Sequence, residues 1–248
     1  MSAAAGELAG RVILVTGASR GIGAAVATAC AAAGASLVMT GRDVRALEAV
    51  ADAIESRGDA APALVPINHE SASADDYALV AALLAERYGR LDGLVANAAM
   101  LGEPAPLANY DGVVWARTFQ VNVHSVFLLL QACLPLLERA PEPAVVFTLA
   151  PEGMHARPNA GAYGVSKYAL RGLMETLAAE FRDRALRVNA VVPEAVGTRL
   201  RRQAYPGLNT DLLPAVESQV DAYLALLGLR GRHLHGQCVQ VTGGKFDL

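Results

Sequence analysis

Tyr163 and Lys167 stand four residues apart in the run Tyr163-Gly164-Val165-Ser166-Lys167. On a helix, side chains at that spacing share one face, with Cβ atoms about 5–6 Å apart. A phenol titrates at about 10, too high for easy proton exchange at neutral pH. A neighbouring ammonium favours the phenolate and lowers that value. The pair can therefore deliver a proton to the alkoxide that develops when hydride reaches a carbonyl. Tyr-x-x-x-Lys recurs by chance, so its meaning rests on what the rest of the chain places around it.

A second candidate is Thr16-Gly17-Ala18-Ser19-Arg20-Gly21-Ile22-Gly23. Before it runs Val12-Ile13-Leu14-Val15, apolar and β-branched, as a strand buried on both faces requires. After it runs Ala24-Ala25-Val26-Ala27, a strong helix former. Strand, glycine turn and helix form the context of a dinucleotide loop. Gly17 permits a tight turn, while Gly21 and Gly23 let backbone approach phosphate and let the helix pack close to the sheet. The helix N-terminus then offers free N–H groups and a positive dipole end to a pyrophosphate.

Short apolar runs alternate with longer helical patterns along the whole chain. Strands are expected at Val12–Thr16, Ser36–Gly41, Ala63–Ile67, Gly93–Ala96, Ala144–Leu149, Arg187–Val192 and Cys238–Val241. Helices are expected near Ile22–Ala33, Val44–Arg57, Ala74–Tyr88, Gly112–Glu138, Gly161–Arg184 and Pro214–Leu227. This alternation implies a doubly wound parallel α/β sheet of about seven strands with helices on both faces. Its 248 residues, 53% hydrophobic and 18% charged, suit one domain over 1–248 with a sizeable core. The irregular stretch Thr198–Leu213 lies beyond a strand end, where it is placed to act as a lid over a substrate.

A net charge of −3 gives no basic field for nucleic acid. No apolar run approaches the ~20 residues that span a bilayer, and the start Met1–Glu7 lacks the pattern of a secretory signal. Cys30, Cys133 and Cys238 are scattered in apolar surroundings, which reads as buried thiols in a reducing cytoplasm. His233 and His235 form half a metal site with no third ligand, so a solvated loop is the preferred reading and no metal is expected.

The second strand ends Met39-Thr40-Gly41-Arg42, where a carboxylate would favour NAD by bonding the ribose hydroxyls. Gly41 holds that position, and Arg20 and Arg42 offer two guanidiniums to the extra phosphate of NADP. Asp43 reads as the N-cap of the next helix.

The loop spacing Thr-Gly-x-x-x-Gly-x-Gly, together with the Tyr-x-x-x-Lys pair, resembles the short-chain dehydrogenase/reductase family, from Val12 to the C-terminus. The resemblance implies a Rossmann-like fold, NADP(H) as cofactor and a small carbonyl or alcohol as substrate. It implies Tyr163 as acid/base, Lys167 as its activator and ribose anchor, and Asn122, in Gln120-Val121-Asn122-Val123, as a helix-kinking residue that holds a water beside the lysine. It places Gly17, Ser19, Arg20, Gly21, Ile22, Gly23, Arg42, Asn68, Asn97 and Thr198 at the cofactor with Tyr163 and Lys167. It also implies a homodimer or homotetramer built on the two long helices, whose Val126, Leu129, Leu170 and Leu177 exceed what one sheet face should cover.

Three positions depart from the family pattern. Ala99 replaces a Gly after the fourth strand. Ala150, thirteen residues before Tyr163, stands where the family has a Ser that bonds the substrate oxygen, and Thr148 lies deeper on the same strand. Glu194 follows Pro193 where the family has Gly beside the nicotinamide; it adds bulk and charge, and strain if φ is positive. All three fall on the substrate side, so the alternative is an NADP(H)-binding sensor or scaffold with little turnover. His155 and Asn159 read as a polar loop near the site. Arg199, Arg201 and Arg202 read as a solvated face, with an acidic substrate as the sharper alternative.

Overall fold

The β-branched runs form the strands of one seven-stranded sheet in the order β3-β2-β1-β4-β5-β6-β7. These are β1 (Val12–Thr16), β2 (Ser36–Gly41), β3 (Ala63–Pro66), β4 (Gly93–Ala96), β5 (Ala144–Thr148), β6 (Arg187–Val192) and β7 (Cys238–Gln240). Every neighbouring pair is parallel. The computed structural model describes residues 6–247, so most of the Met1–Glu7 start lies outside the described residues. The helices are α1 (Gly21–Ala32), α2 (Val44–Glu55), α3 (Ala74–Tyr88), α4 (Gly112–Phe119), α5 (Ser125–Leu137), α6 (Gly161–Glu180), α7 (Arg199–Ala204) and α8 (Val220–Leu227). One apolar cluster joins the sheet to α3, α5 and α6, and a second joins its other face to α1, α2 and α8. The expected doubly wound α/β fold is therefore present. Because β1 lies between β2 and β4, the strand order reverses there, and a crevice opens beyond the carboxyl ends.

Local chemistry sets several boundaries. Asp43 accepts from the Ala46 N–H at 3.1 Å and starts α2, as an N-cap should. Ser73 and Asp76 form a reciprocal capping box on α3, which ends at Gly89 in the left-handed region.

Four sequence expectations change. The helix expected over Gly112–Glu138 is broken by a π-helical turn at Gln120–His124, centred on Asn122. The helical stretch Gly112–Leu137 is also long and apolar enough, by length and composition alone, to cross a membrane. It is nevertheless a core helix, with Val126, Leu129, Leu130 and Cys133 packed in the apolar cluster. Val126, Leu129, Leu170 and Leu177 are buried within the single chain, so they are no surplus. The apolar side chains left exposed on these helices are Val113, Phe127, Val165 and Tyr168. Finally, the irregular stretch Thr198–Leu213 contains α7, capped by the Thr198 hydroxyl, and a short 3-10 turn at Thr210–Leu212; α8 begins at Val220 rather than at Pro214.

Glu194 does not meet the expectation of strain either, because the only non-glycine residue with positive φ among those described is Asn159. Its carboxylate turns to the turn after β7, accepting from the Gly243 N–H at 2.9 Å, the Gly244 N–H at 3.0 Å and the Gln219 side-chain amide at 2.9 Å. Burial raises the carboxyl, but the three donors together outweigh it and hold it below its ordinary value of 4.5. A depressed carboxyl contributes stability above its unfolded value and loses it as pH falls through the folded one. Glu194→Ala should therefore lower the unfolding free energy at pH 7 by about 1–3 kcal/mol. In denaturant titrations the deficit should shrink below pH 4.5; a deficit that stays constant on acidification would show that the charge is not what ties the turn.

Candidate active site

A cavity of about 1370 Å³ lies beyond the carboxyl ends of the strands and runs from the glycine loop to α7. At one end the glycine loop makes a narrow cradle. A Cβ on Gly17 would lie 2.8 Å from the Ala98 Cα, and one on Gly23 would strike the Gly17 carbonyl oxygen. Gly17 and Gly21 both have positive φ, at 64° and 58°. Asn97 ties this loop to β4, donating from its side chain to the Thr16 carbonyl at 3.0 Å and the Gly17 carbonyl at 3.3 Å. The Thr16 hydroxyl in turn accepts from the Asn97 and Ala98 N–H groups. Asn97 thus positions the loop, its amide being committed to backbone.

Ser19, Arg20, Gly21, Ile22, Gly23, Arg42 and Asn68 line the cavity beside the first turn of α1. Carboxylates face both arginines. Arg20 donates to Asp43 at 3.0 Å, and Arg42 lies 3.8 Å from Glu70. The Arg20–Asp43 pair is exposed on both sides, and Arg42 is exposed while Glu70 is bonded more closely by Arg117 at 2.7 Å, so both guanidiniums are open to exchange for a stronger anion. Thr198 closes over the loop, its methyl 3.5 Å from where a Gly21 Cβ would sit. A cradle of bare backbone with two exchangeable guanidiniums fits the pyrophosphate and adenosine end of a nicotinamide dinucleotide.

At the other end α6 brings Tyr163 and Lys167 together. The Lys167 Nζ is 5.7 Å from the Tyr163 ring centroid and donates to the Thr148 carbonyl at 2.7 Å. Burial pushes Lys167 down to about 8, partly opposed by the charge of Glu152. Tyr163 does not shift as the sequence suggests. Burial pushes its phenol above its ordinary value, Glu152 adds to the rise, and Arg201 opposes it. The cost of desolvating a phenolate dominates, so Tyr163 keeps its proton.

Asn122, buried in the π-turn, accepts from the Met100 N–H at 2.7 Å and donates to the Met100 carbonyl and the Ser166 hydroxyl, both at 2.9 Å. Ser166 donates to the Tyr163 carbonyl at 2.8 Å. One amide therefore fixes the loop after β4 against the helix that carries the pair.

Ala150 lines the cavity just after β5, with no donor to offer. The Thr148 hydroxyl is bonded to the Tyr223 hydroxyl at 3.0 Å and is not free to replace one. His155 is exposed and absent from the cavity wall, whereas Asn159 is part of it. His235 bonds the Ala178 carbonyl at 2.7 Å, a packing role.

Sequence reasoning missed Glu152, a buried carboxylate beside Tyr163 and Lys167 that pairs with Arg157 at 3.5 Å. Nor did it single out Tyr205, whose hydroxyl accepts from Arg157 at 3.3 Å, or Tyr223 behind Thr148. Their signal was only a charged or aromatic residue in a loop at a strand end.

The family model for short chain dehydrogenases matches residues 11–209. The uncharacterized oxidoreductase YciK of Escherichia coli K12 is 35% identical over 235 residues, which is 95% of this chain and 93% of that one. A short chain dehydrogenase structure from Pseudomonas syringae is 44% identical at a TM-score of 0.94, covering 96% of this chain and 97% of that one. One from Escherichia coli CFT073, complexed with NADPH, is 36% identical at a TM-score of 0.92, covering 95% and 98%. With its glycine cradle and its Tyr163–Lys167 pair on the same parallel sheet, the chain belongs to the short-chain dehydrogenase family and is an oxidoreductase that uses a nicotinamide cofactor.

Proposed function

We propose that the protein is an NADP(H)-dependent reductase or dehydrogenase of a small carbonyl or alcohol, with the whole chain as one domain. The observation that carries this reading is the Tyr163–Lys167 pair, its lysine buried, at one end of a cavity whose other end is the glycine cradle. The cofactor supplies or accepts hydride when bound. Gly17, Ser19, Gly21, Ile22 and Gly23 would hold its pyrophosphate, Arg20 and Arg42 its additional phosphate, Asn68 its adenine, and Thr198 and Lys167 its nicotinamide end. Asn97 and Asn122 keep these groups in place. Tyr163, kept protonated by burial, gives its proton to the oxygen of the reacting carbonyl. The exposed Val113, Phe127, Val165 and Tyr168 support a contact between copies of the chain, as a homodimer or homotetramer. Three unpaired thiols suit the reducing cytoplasm.

A second reading, an NADP(H)-binding sensor or scaffold with little turnover, is favoured by Ala150 and by the commitment of the Thr148 hydroxyl to Tyr223. The test is NADPH oxidation against a broad carbonyl panel beside a direct binding titration. Tyr163→Phe should cost about 10²–10⁴ in rate while NADPH still binds. Ala150→Ser should raise turnover by about 10–10³ with little change in cofactor affinity. A wild-type rate insensitive to both changes would refute the roles given to Tyr163 and Ala150.

NADPH should bind about 10–100-fold more tightly than NADH, through charge-assisted bonds from Arg20 and Arg42. Arg42→Asp should narrow or reverse the preference. Equal affinities in the unmodified protein would refute the assignment.

The pH profile follows from Lys167. Its ammonium is present below about 8 and lost above it. For reduction, kcat/KM for NADPH should accordingly fall as pH rises through that value, since the free enzyme then loses its anchoring charge. A flat profile from pH 7 to 9.5 would count against a role for that charge (window spanning about 1.5 units above the titration point).

A further inference from the structure

The guanidinium of Arg201 is a charged group on the substrate side that the chemistry above leaves unused. It sits on α7, lines the cavity, and its charge reaches Tyr163. Its carbon lies 4.2 Å from the centroid of the Tyr205 ring, a cation–π contact that leaves the N–H donors of the guanidinium in need of acceptors. Among the described residues the Arg201 side chain makes no hydrogen bond or ion pair, and its Nε is buried without a partner. The carboxylates nearby are engaged elsewhere: Glu152 pairs with Arg157, and Glu194 bonds Gly243, Gly244 and Gln219. Arg199 and Arg202 also line the cavity but are exposed, so the desolvated donor among the three is Arg201. A buried guanidinium donor costs free energy unless something accepts from it.

We propose that Arg201 receives a carboxylate of the substrate, so that the substrate is an oxo acid in the reducing direction and the corresponding hydroxy acid in the other. The inference rests on the reductase reading and deepens it. A planar carboxylate matches the fork of a guanidinium, and the contact with Tyr205 steadies that fork in the cavity that Tyr163 also lines. The carboxylate is unchanged by the reaction. Hydride reaches the carbonyl carbon of the same molecule, and the Tyr163 proton reaches its oxygen.

The test uses 2-, 3- and 4-oxopentanoate, each beside its methyl ester, with NADPH and the full-length protein. For at least one pair, kcat/KM should favour the acid by about 10–100-fold. Arg201→Met should bring that ratio to about one, mainly through KM for the acid, and Arg201→Lys should restore part of it. The ratio is the readout because loss of the charge beside Tyr163 affects acid and ester alike. Ratios near one in the wild type, or a preference that survives Arg201→Met, would overturn the proposal. If NADPH binds but no carbonyl is reduced, the reductase reading fails separately, and Arg201 is read by calorimetry. The NADPH-loaded protein should then bind pentanoate about tenfold more tightly than pentanamide, and Arg201→Met should abolish the difference; parity in the wild type overturns the proposal there too.

Discussion

A fully buried ammonium is expensive, and the active end of this protein is arranged around one. Lys167 is only 2% exposed. It stays in place because the last carbonyl of β5 accepts from it and because the carboxylate of Glu152 lies near. Holding the lysine there constrains what surrounds it. Gly153 must be a glycine, since a Cβ would come within 2.9 Å of the Lys167 Cβ and carbonyl oxygen. The turn Pro151–Gly153 therefore lies directly on α6, which sets Ala150 into the cavity wall and tucks Glu152 beneath it. The same burial that makes the lysine costly keeps the tyrosine protonated.

The two ends of the cavity are built by different means. The cofactor end is backbone: glycines that leave no room for side chains, and an asparagine spent on loop carbonyls. The substrate end is side chains, and it is held by the amide of Asn122. That amide gains its reach from the π-turn, which widens the helix by one residue and leaves backbone groups that an ordinary helix would pair internally. Asn is a poor choice within a helix because it can compete for backbone bonds, but here its amide turns outward and joins the loop after β4 to α6.

What the sequence disclosed follows from the same division. Strand ends, the glycine loop and the Tyr163–Lys167 spacing are local patterns, and every strand core lay where its apolar run stood. The placement of Glu194 was illegible because its partners, Gly243, Gly244 and Gln219, are distant in sequence. Glu152 was hidden for the same reason, its neighbours being set by how its turn docks on α6. The four apolar residues read as surplus on the long helices failed as a signal because periodicity counts faces. It does not say that α5 packs on α3, or α6 on α4 and the π-turn, as well as on the sheet.

The electrostatics of Tyr163 depend on two segments that meet only in the folded chain. Glu152 arrives on the turn after β5 and raises the phenol; Arg201 arrives on α7 and opposes the rise. Arg157 links the two, reaching Glu152 on one side and the hydroxyl of Tyr205 on the other, while Tyr205 carries Arg201 on its ring. Without α7 the cation would be gone and the carboxylate would remain, so the proton on Tyr163 would be held harder. The helix that lines the cavity thus also contributes to the field at the Tyr163 hydroxyl.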